Sequence, residues 1–469
     1  MKVLTQVIIK FWKSRLICAI IEFMTKVRTR FAPSPTGFLH IGGLRTALYA
    51  YALAKHEGGD FILRIEDTDQ KREVAGSKEA LQETLKKFGL IYDEMYIQSE
   101  RLDYYKQTAE KLVSDGHAFF CQCDPKNTKE EGYSKDLKDP CRGKAFTTGA
   151  IKLLVPDGKT VSYLDFVHKK EISWNTNTVY DATLLKSDGY PTYHLAAMAD
   201  DIDMKITHIL RGHDWLPSTP IHLLVFEYLG GKRPEIGHLT DILSGETGKK
   251  LSKRRDSVFA EQFLEEGYLP EALLNFIMLL GWAPKDNREL YTLDEFVKEF
   301  NINGFQDANP RFFRDKLDWF NGQYIRMMED NELQNKFEKF SSEFNMLPSG
   351  KKVKITKLLK NRIKKFTEFN DLAKFFWEKP EVDKILFGTD YQKHLGLAVD
   401  VISNLKNWDL EELNETLMEK INENNIKVGD FFMTIRIAMT GVKFTPPIND
   451  SIIILGKEET LKRLTLEST

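Results

Sequence analysis

One stretch near the start constrains the fold of this chain more than any other: Arg30-Phe-Ala-Pro-Ser-Pro-Thr-Gly-Phe-Leu-His-Ile-Gly-Gly43. Val27 to Phe31 is short, β-branched and aromatic, which suits a strand. Pro33, Pro35 and Gly37 then make a stiff turn that can neither prolong the strand nor start a helix early. From Leu39 the apolar residues Leu39, Leu44, Leu48, Tyr51 and Leu53 recur at helical spacing. His40, Gly42 and Gly43 therefore fall at a helix N-terminus, where unpaired N–H groups and the positive dipole end favour a phosphate. A glycine there lets a nucleotide approach the backbone closely. The pattern predicts strand 27–31, helix 39–56, strand 60–65 and helix 76–88. Gly58-Gly59 would close the first helix and Ser77 would cap the second.

A second run, Gly248-Lys-Lys-Leu-Ser-Lys-Arg254, puts Lys250 and Lys253 on a glycine-flanked loop. Alone it also reads as a solvated basic loop. Its order and distance after the first stretch change that, because together the two resemble the paired nucleotide-binding signatures of class I aminoacyl-tRNA synthetases. With Ala-Pro-Ser-Pro-Thr-Gly ahead of the histidine, the variant resembles the bacterial and organellar glutamyl-tRNA synthetases. Leu251 stands where that family often has methionine. The likeness continues in Lys316-Leu-Asp-Trp-Phe-Asn-Gly-Gln-Tyr-Ile-Arg326 and in Arg436-Ile-Ala-Met-Thr-Gly441 with Thr445-Pro-Pro447. It implies an α/β Rossmann-type catalytic domain with an α+β insertion, followed by an all-α C-terminal anticodon-binding module.

Length alone suggests about three domains. The resemblance implies two halves of the nucleotide fold at 24–105 and 193–254, around an insertion at 106–192 that holds the acceptor end of tRNA. A stem-contact region at 255–329 and the helical module at 330–469 follow. Within the insertion, Val161 to Val167 and Asn177 to Thr183 alternate as antiparallel strands do. Tyr193 to Asp201 reads as a helix, Ile206 to Arg211 as a strand and Ser218 to Leu229 as a helix. The net charge of −2 confines any nucleic-acid surface to local patches. No run of apolar residues is long enough to span a membrane. Four cysteines argue against a disulfide framework and fit a reducing compartment. Met1 to Phe23 is basic and acid-poor, as an organellar presequence is. It reads as a false upstream start, with Met24 as the functional one; the alternative is a mitochondrial or plastid presequence. The expected compartment is otherwise the cytoplasm, and the expected state a monomer.

The implied reaction is a glutamate–tRNA ligation. Glutamate's α-carboxylate attacks the α-phosphorus of ATP, and the terminal ribose of tRNA(Glu) then takes the glutamyl group. Neither step needs a covalent enzyme intermediate, so positioning and charge stabilisation carry the catalysis, with Mg²⁺ on the phosphates. The family pattern makes His40, Lys250 and Lys253 the charge stabilisers. It assigns ATP contacts to Gly42, Gly43, Trp215, Lys250, Leu251 and Lys253. Arg30 and Arg211 stand where the family reads the substrate carboxylates, which a guanidinium holds through paired hydrogen bonds. Tyr193 joins them, with Ser34 and Glu66 at positions that hold the amino group. Asp67 reads as a capping residue, and Asp69 and Arg72 as candidates for the tRNA terminus. Ala197 departs from relatives that carry an amide there.

Cys121, Cys123 and Cys141 resemble a zinc site of some family members. The expected fourth ligand position holds Gly143, so zinc is not expected; His117 or an acid could substitute. Lys351 to Phe366 contains no acid. Ile355, Leu358, Leu359, Ile363 and Phe366 share one helical face, which directs Lys352, Arg362 and Lys364 outward as candidate phosphate contacts. The alternatives are an enzyme that also charges tRNA(Gln) with glutamate and an inactive tRNA-binding paralogue. Intact His40, Lys250 and Lys253 speak against the latter.

Overall fold

The computed structural model describes residues 26–69, 71–123, 137–251 and 258–465. The extension 1–23 and Lys253 lie outside the described residues. The chain forms two compact units, Met1–Phe263 with Leu274–Phe313 and Leu264–Leu273 with Arg314–Thr469.

The first unit opens with β1 (Arg28–Phe31), α1 (Ile41–His56), β2 (Asp60–Ile65), α2 (Ser77–Lys87), β3 (Glu94–Ile97) and α3 (Leu102–Ser114). It continues through β4 (Ala118–Cys121), β5 (Ala150–Leu153), β6 (Thr160–Asp165), β7 (Lys170–Asn175) and β8 (Thr183–Leu185). Then come α4 (Tyr193–Asp203), β9 (His208–Gly212), α5 (Thr219–Leu229) and β10 (Glu235–Leu239). Seven strands form one sheet in the order β3-β2-β1-β9-β10-β6-β7. All neighbours are parallel except β6 and β7. The order reverses between β1 and β9, which opens a crevice at the carboxyl ends of those strands.

Local chemistry sets the boundaries. His40 is extended at φ −82 and accepts the Gly43 N–H through Nδ1 at 3.1 Å, so α1 begins at Ile41 and not at Leu39. Gly58 turns the chain at φ +62, and a Cβ on Gly59 would lie 2.0 Å from the Val27 carbonyl oxygen. Ser77 does not cap α2. Gly76 takes that position at φ +77, and the Ser77 hydroxyl donates instead to the Pro35 carbonyl at 2.8 Å, tying α2 to the Pro/Gly turn.

The insertion differs from its sequence pattern. β6 does alternate, with Val161, Tyr163 and Asp165 inward, but it joins the main sheet beside β10. Its antiparallel partner is β7, not 177–183. β7 is an edge strand whose alternate residues are exposed, so its apolar signal is weak. Only Thr183 of 177–183 joins a strand, as the start of β8; before it the Asp181 carboxylate accepts the Asp139 N–H at 2.8 Å and the Val155 N–H at 3.1 Å.

The second unit is helical, its longer helices being α6 (Arg314–Met327), α7 (Asp330–Phe340), α8 (Ser349–Lys360), α9 (Tyr391–Asn404), α10 (Leu410–Glu423) and α11 (Val428–Thr440). One core gathers Leu333, Phe337, Ile355, Leu359, Ile363 and Phe369; another gathers Leu395, Ile402, Leu417, Phe431 and Ile435. The predicted apolar face of 351–366 is therefore inward, though α8 stops at Lys360. Arg362 and Lys364 are exposed. Lys352 is not directed outward as its spacing predicts: it is largely covered, and its ammonium pairs with Glu338 at 2.7 Å. None of the described helices is long and apolar enough to cross a membrane.

Candidate active site

A cavity of about 570 Å³ occupies the crevice at the switch point of the sheet. Arg30 enters it from the end of β1, Glu66 from just beyond β2, Arg211 from β9, and Leu239 with Asp241 from the end of β10. Ser34, His40, Gly42 and Gly43 border it on the turn into α1. Tyr193, Trp215, Lys250, Leu251 and Arg72 complete the wall. The described residues assigned from sequence to glutamate and ATP thus line one cavity. Asp69 is exposed and lies 4.0 Å from Arg72. Ala197 is fully buried. Asp67 is a structural residue: it accepts the Ser99 N–H at 2.7 Å and the Lys78 ammonium at 2.6 Å.

The two arginines differ in their counter-groups. Arg30 pairs with Asp201 at 3.1 Å, and Asp201 also pairs with the wholly buried Arg64 at 2.7 Å. Arg211 forms no ion pair among the described residues. Its Nε donates to His238 Nε2 at 3.0 Å, Nη1 to His222 Nδ1 at 2.9 Å and Nη2 to the Thr219 hydroxyl at 2.9 Å. Burial lowers the pKa of His238 to about 4 against the pull of Asp165, and burial with the Arg211 charge pushes His222 well below the ordinary value. A buried guanidinium held by neutral acceptors is a socket for a carboxylate.

Glu66 is nearly buried, and burial pushes it up to about 7 against the attraction of Arg64 and Arg30. The Tyr193 ring stacks on Trp215 with centroids 3.9 Å apart. The start of α1 is less open than its pattern suggests. The Gly43 N–H already bonds His40, and a Cβ on Gly42 would come within 3.0 Å of the imidazole ring. The glycines hold the ring against the helix start. Lys250 bridges Asp214 at 2.8 Å and Asp241 at 2.9 Å. Burial works against its charge, but the two carboxylates raise its pKa on balance.

Residues 26–319 match the family described as tRNA synthetases class I (E and Q), catalytic domain, and residues 322–466 match the anticodon binding domain. This chain belongs to the class I tRNA synthetases of the E and Q group. Among similar proteins, the glutamate–tRNA ligase of Finegoldia magna is 35% identical over 490 residues, covering 94% of this chain and 99% of that one. The glutamate–tRNA ligase of Clostridium tetani is 37% identical over 481 residues, covering 94% and 97%. The crystal structure of a glutamate tRNA ligase from Elizabethkingia meningosepticum in complex with its amino acid superposes with a TM-score of 0.82 at 34% identity, covering 94% of this chain and 99% of that one.

Sequence reasoning passed over the residues behind the cavity: Arg64, Asp201, His222, His238 and Asp165. The signal available was ionisable residues within apolar segments, which require partners when buried. It also passed over Asp139. The Sγ atoms of Cys121, Cys123 and Cys141 and a carboxylate oxygen of Asp139 all lie within 4.8 Å of one another. Asp139 thus stands where the sequence left the donor set one short, and a Cys₃Asp set suits tetrahedral zinc. Such an ion would clamp the insertion and would touch no residue of the cavity.

Proposed function

We propose that this chain is a glutamate–tRNA ligase that activates L-glutamate with ATP and transfers it to the 3′ end of tRNA(Glu). The observation that carries the reading is the Arg211 socket, a buried cation with no carboxylate partner among the described residues, in the same cavity as the His40 helix start and Lys250. Arg211 and Arg30, joined by Tyr193, receive the side-chain carboxylate, while Glu66 and Ser34 face the ammonium end. This places the α-carboxylate toward the phosphates. Gly42, Gly43 and His40 border the triphosphate at the helix start. Tyr193 and Trp215 present a flat surface beside the nucleotide. Lys250, with Lys253, meets the charge that develops on the departing pyrophosphate. Mg²⁺, when bound, neutralises phosphate oxygens.

For tRNA, Arg72 of the cavity wall and the exposed Asp69 beside it are contacts for the acceptor end, and Arg362 and Lys364 in the helical unit offer exposed charge to phosphates. Lys352 is a poorer candidate because Glu338 already neutralises it. The working form is a monomer in the cytoplasm.

Charging of purified tRNA(Glu) and tRNA(Gln) with labelled glutamate, side by side, tests the reading. Glutamyl-tRNA(Glu) is expected. Charging of both would make the enzyme non-discriminating. Binding of tRNA without any glutamyl product would make the chain the inactive paralogue.

A further inference from the structure

Behind Arg211 runs a chain of buried polar groups. His238 accepts the Arg211 Nε–H and, through Nδ1, lies 2.8 Å from the Asp165 carboxylate. His222 accepts the Nη1–H, and its Nε2 lies 3.1 Å from His194 Nδ1. His222, His238 and Asp165 are wholly buried, and Arg211 is 4% exposed. Because a guanidinium can only donate, both tautomers follow. His238 carries its proton on Nδ1, toward Asp165, and His222 carries its proton on Nε2, toward His194.

We propose that His222 and His238 set the selectivity of this site for an anionic ligand, by satisfying the Arg211 hydrogen bonds without neutralising its charge. The inference rests on the reading of Arg211 as the carboxylate contact. An apolar residue in either place would leave a buried N–H unsatisfied. An aspartate or glutamate would satisfy it but would also take the ion pair meant for the ligand. At the neighbouring arginine the protein does supply a carboxylate: Arg30 is bonded directly to Asp201, which it shares with Arg64. The Asp165 charge is one imidazole removed from Arg211. It is shared among the N–H groups of Val167 and His168 at 3.0 and 3.1 Å and the Tyr163 hydroxyl at 2.9 Å. Asp165 orients His238 without pairing with the arginine. His222 and His238 are positioning residues, since neither lines the cavity.

Paired substitutions in the full chain separate charge from shape. His222→Asn and His238→Gln keep an acceptor near the original nitrogen, whereas His222→Asp and His238→Glu add charge with the same outline. Each acidic variant is expected to raise the KM for glutamate about tenfold or more above its neutral counterpart, with the KM for ATP alike in both. Arg211→Ala is the control. If it raises the two KM values equally, the reading of Arg211 fails. If it raises that of glutamate alone while acidic and neutral variants match, the inference fails and the reading stands. ¹⁵N NMR of the histidine rings in the unaltered protein gives a test independent of variant folding. At about pH 7 both rings should be neutral, in the tautomers given above. An imidazolium at either position overturns the proposal.

Discussion

Glu66 depends on its surroundings more than any other residue of the site. Burial pushes its carboxyl up to about 7, against the attraction of Arg64 and Arg30, so its charge changes near neutrality. A substrate ammonium favours the charged form, so kcat/KM for glutamate should rise with pH through about 7 and level off above, since this ratio reports the free enzyme. In Glu66→Gln the inflection should disappear; its persistence would assign the titration to another group. Asp139 permits a second test at this scale. Cobalt titration of the purified chain should give the visible absorption of a tetrahedral thiolate site, and Asp139→Ala should weaken binding by at least about tenfold. No cobalt signal in either protein would leave the three cysteines as plain thiols. Burial already pushes the Cys121 thiol up to about 12, so without a metal this sulfur stays protonated. Arg30, Arg211 and His40 could be proposed from sequence because each stands at a position that the family pattern marks, and all three line the cavity. Asp201, His222 and His238 behind them, and Asp139 beside the cysteines, could not, because a side chain's partner across the fold leaves no mark at a fixed spacing.

At the scale of elements, the entry to α1 couples backbone and chemistry. Gly42→Ala should raise or keep the melting temperature, because alanine is the better helix former. Its methyl would meet the His40 ring at 3.0 Å and must shift it. Adenylate formation should then fall severalfold, less than the roughly 10²-fold cost of moving a positioned group by about 1 Å. An unchanged rate would show that the position of the ring does not limit the reaction. For α8 and the segment after it, Arg362→Gln with Lys364→Gln should flatten the salt dependence of tRNA affinity by about 1.4–1.8 in log–log slope, if both meet phosphates. Lys352→Gln should leave that slope alone, since its charge is matched by Glu338. A flattened slope in Lys352→Gln alone would reverse these assignments. Helices with one apolar stripe were readable from spacing; edge strand β7 was not, because half its residues face solvent and its identity depends on β6 lying alongside.

For the whole molecule, removal of residues 1–23 should leave melting temperature and charging unchanged, since β1 begins only at Arg28. A large fall in melting temperature on truncation would mean that the extension packs on the body. The chain's own order of strand, rigid turn, glycine-flanked helix start and distant lysine loop pointed to the fold class, and the family resemblance it carries supplied a minority of the residues that line the cavity. These signals are local, because backbone freedom and apolar periodicity act within a few residues. Which strands neighbour one another was decided in three dimensions. β6 reaches the main sheet through β10, and that contact brings Asp165 beneath His238 and fixes the ring that holds Arg211. The sequence specified a cation at position 211; tertiary structure decided that, among the described residues, two imidazoles and a hydroxyl and no carboxylate are folded against it.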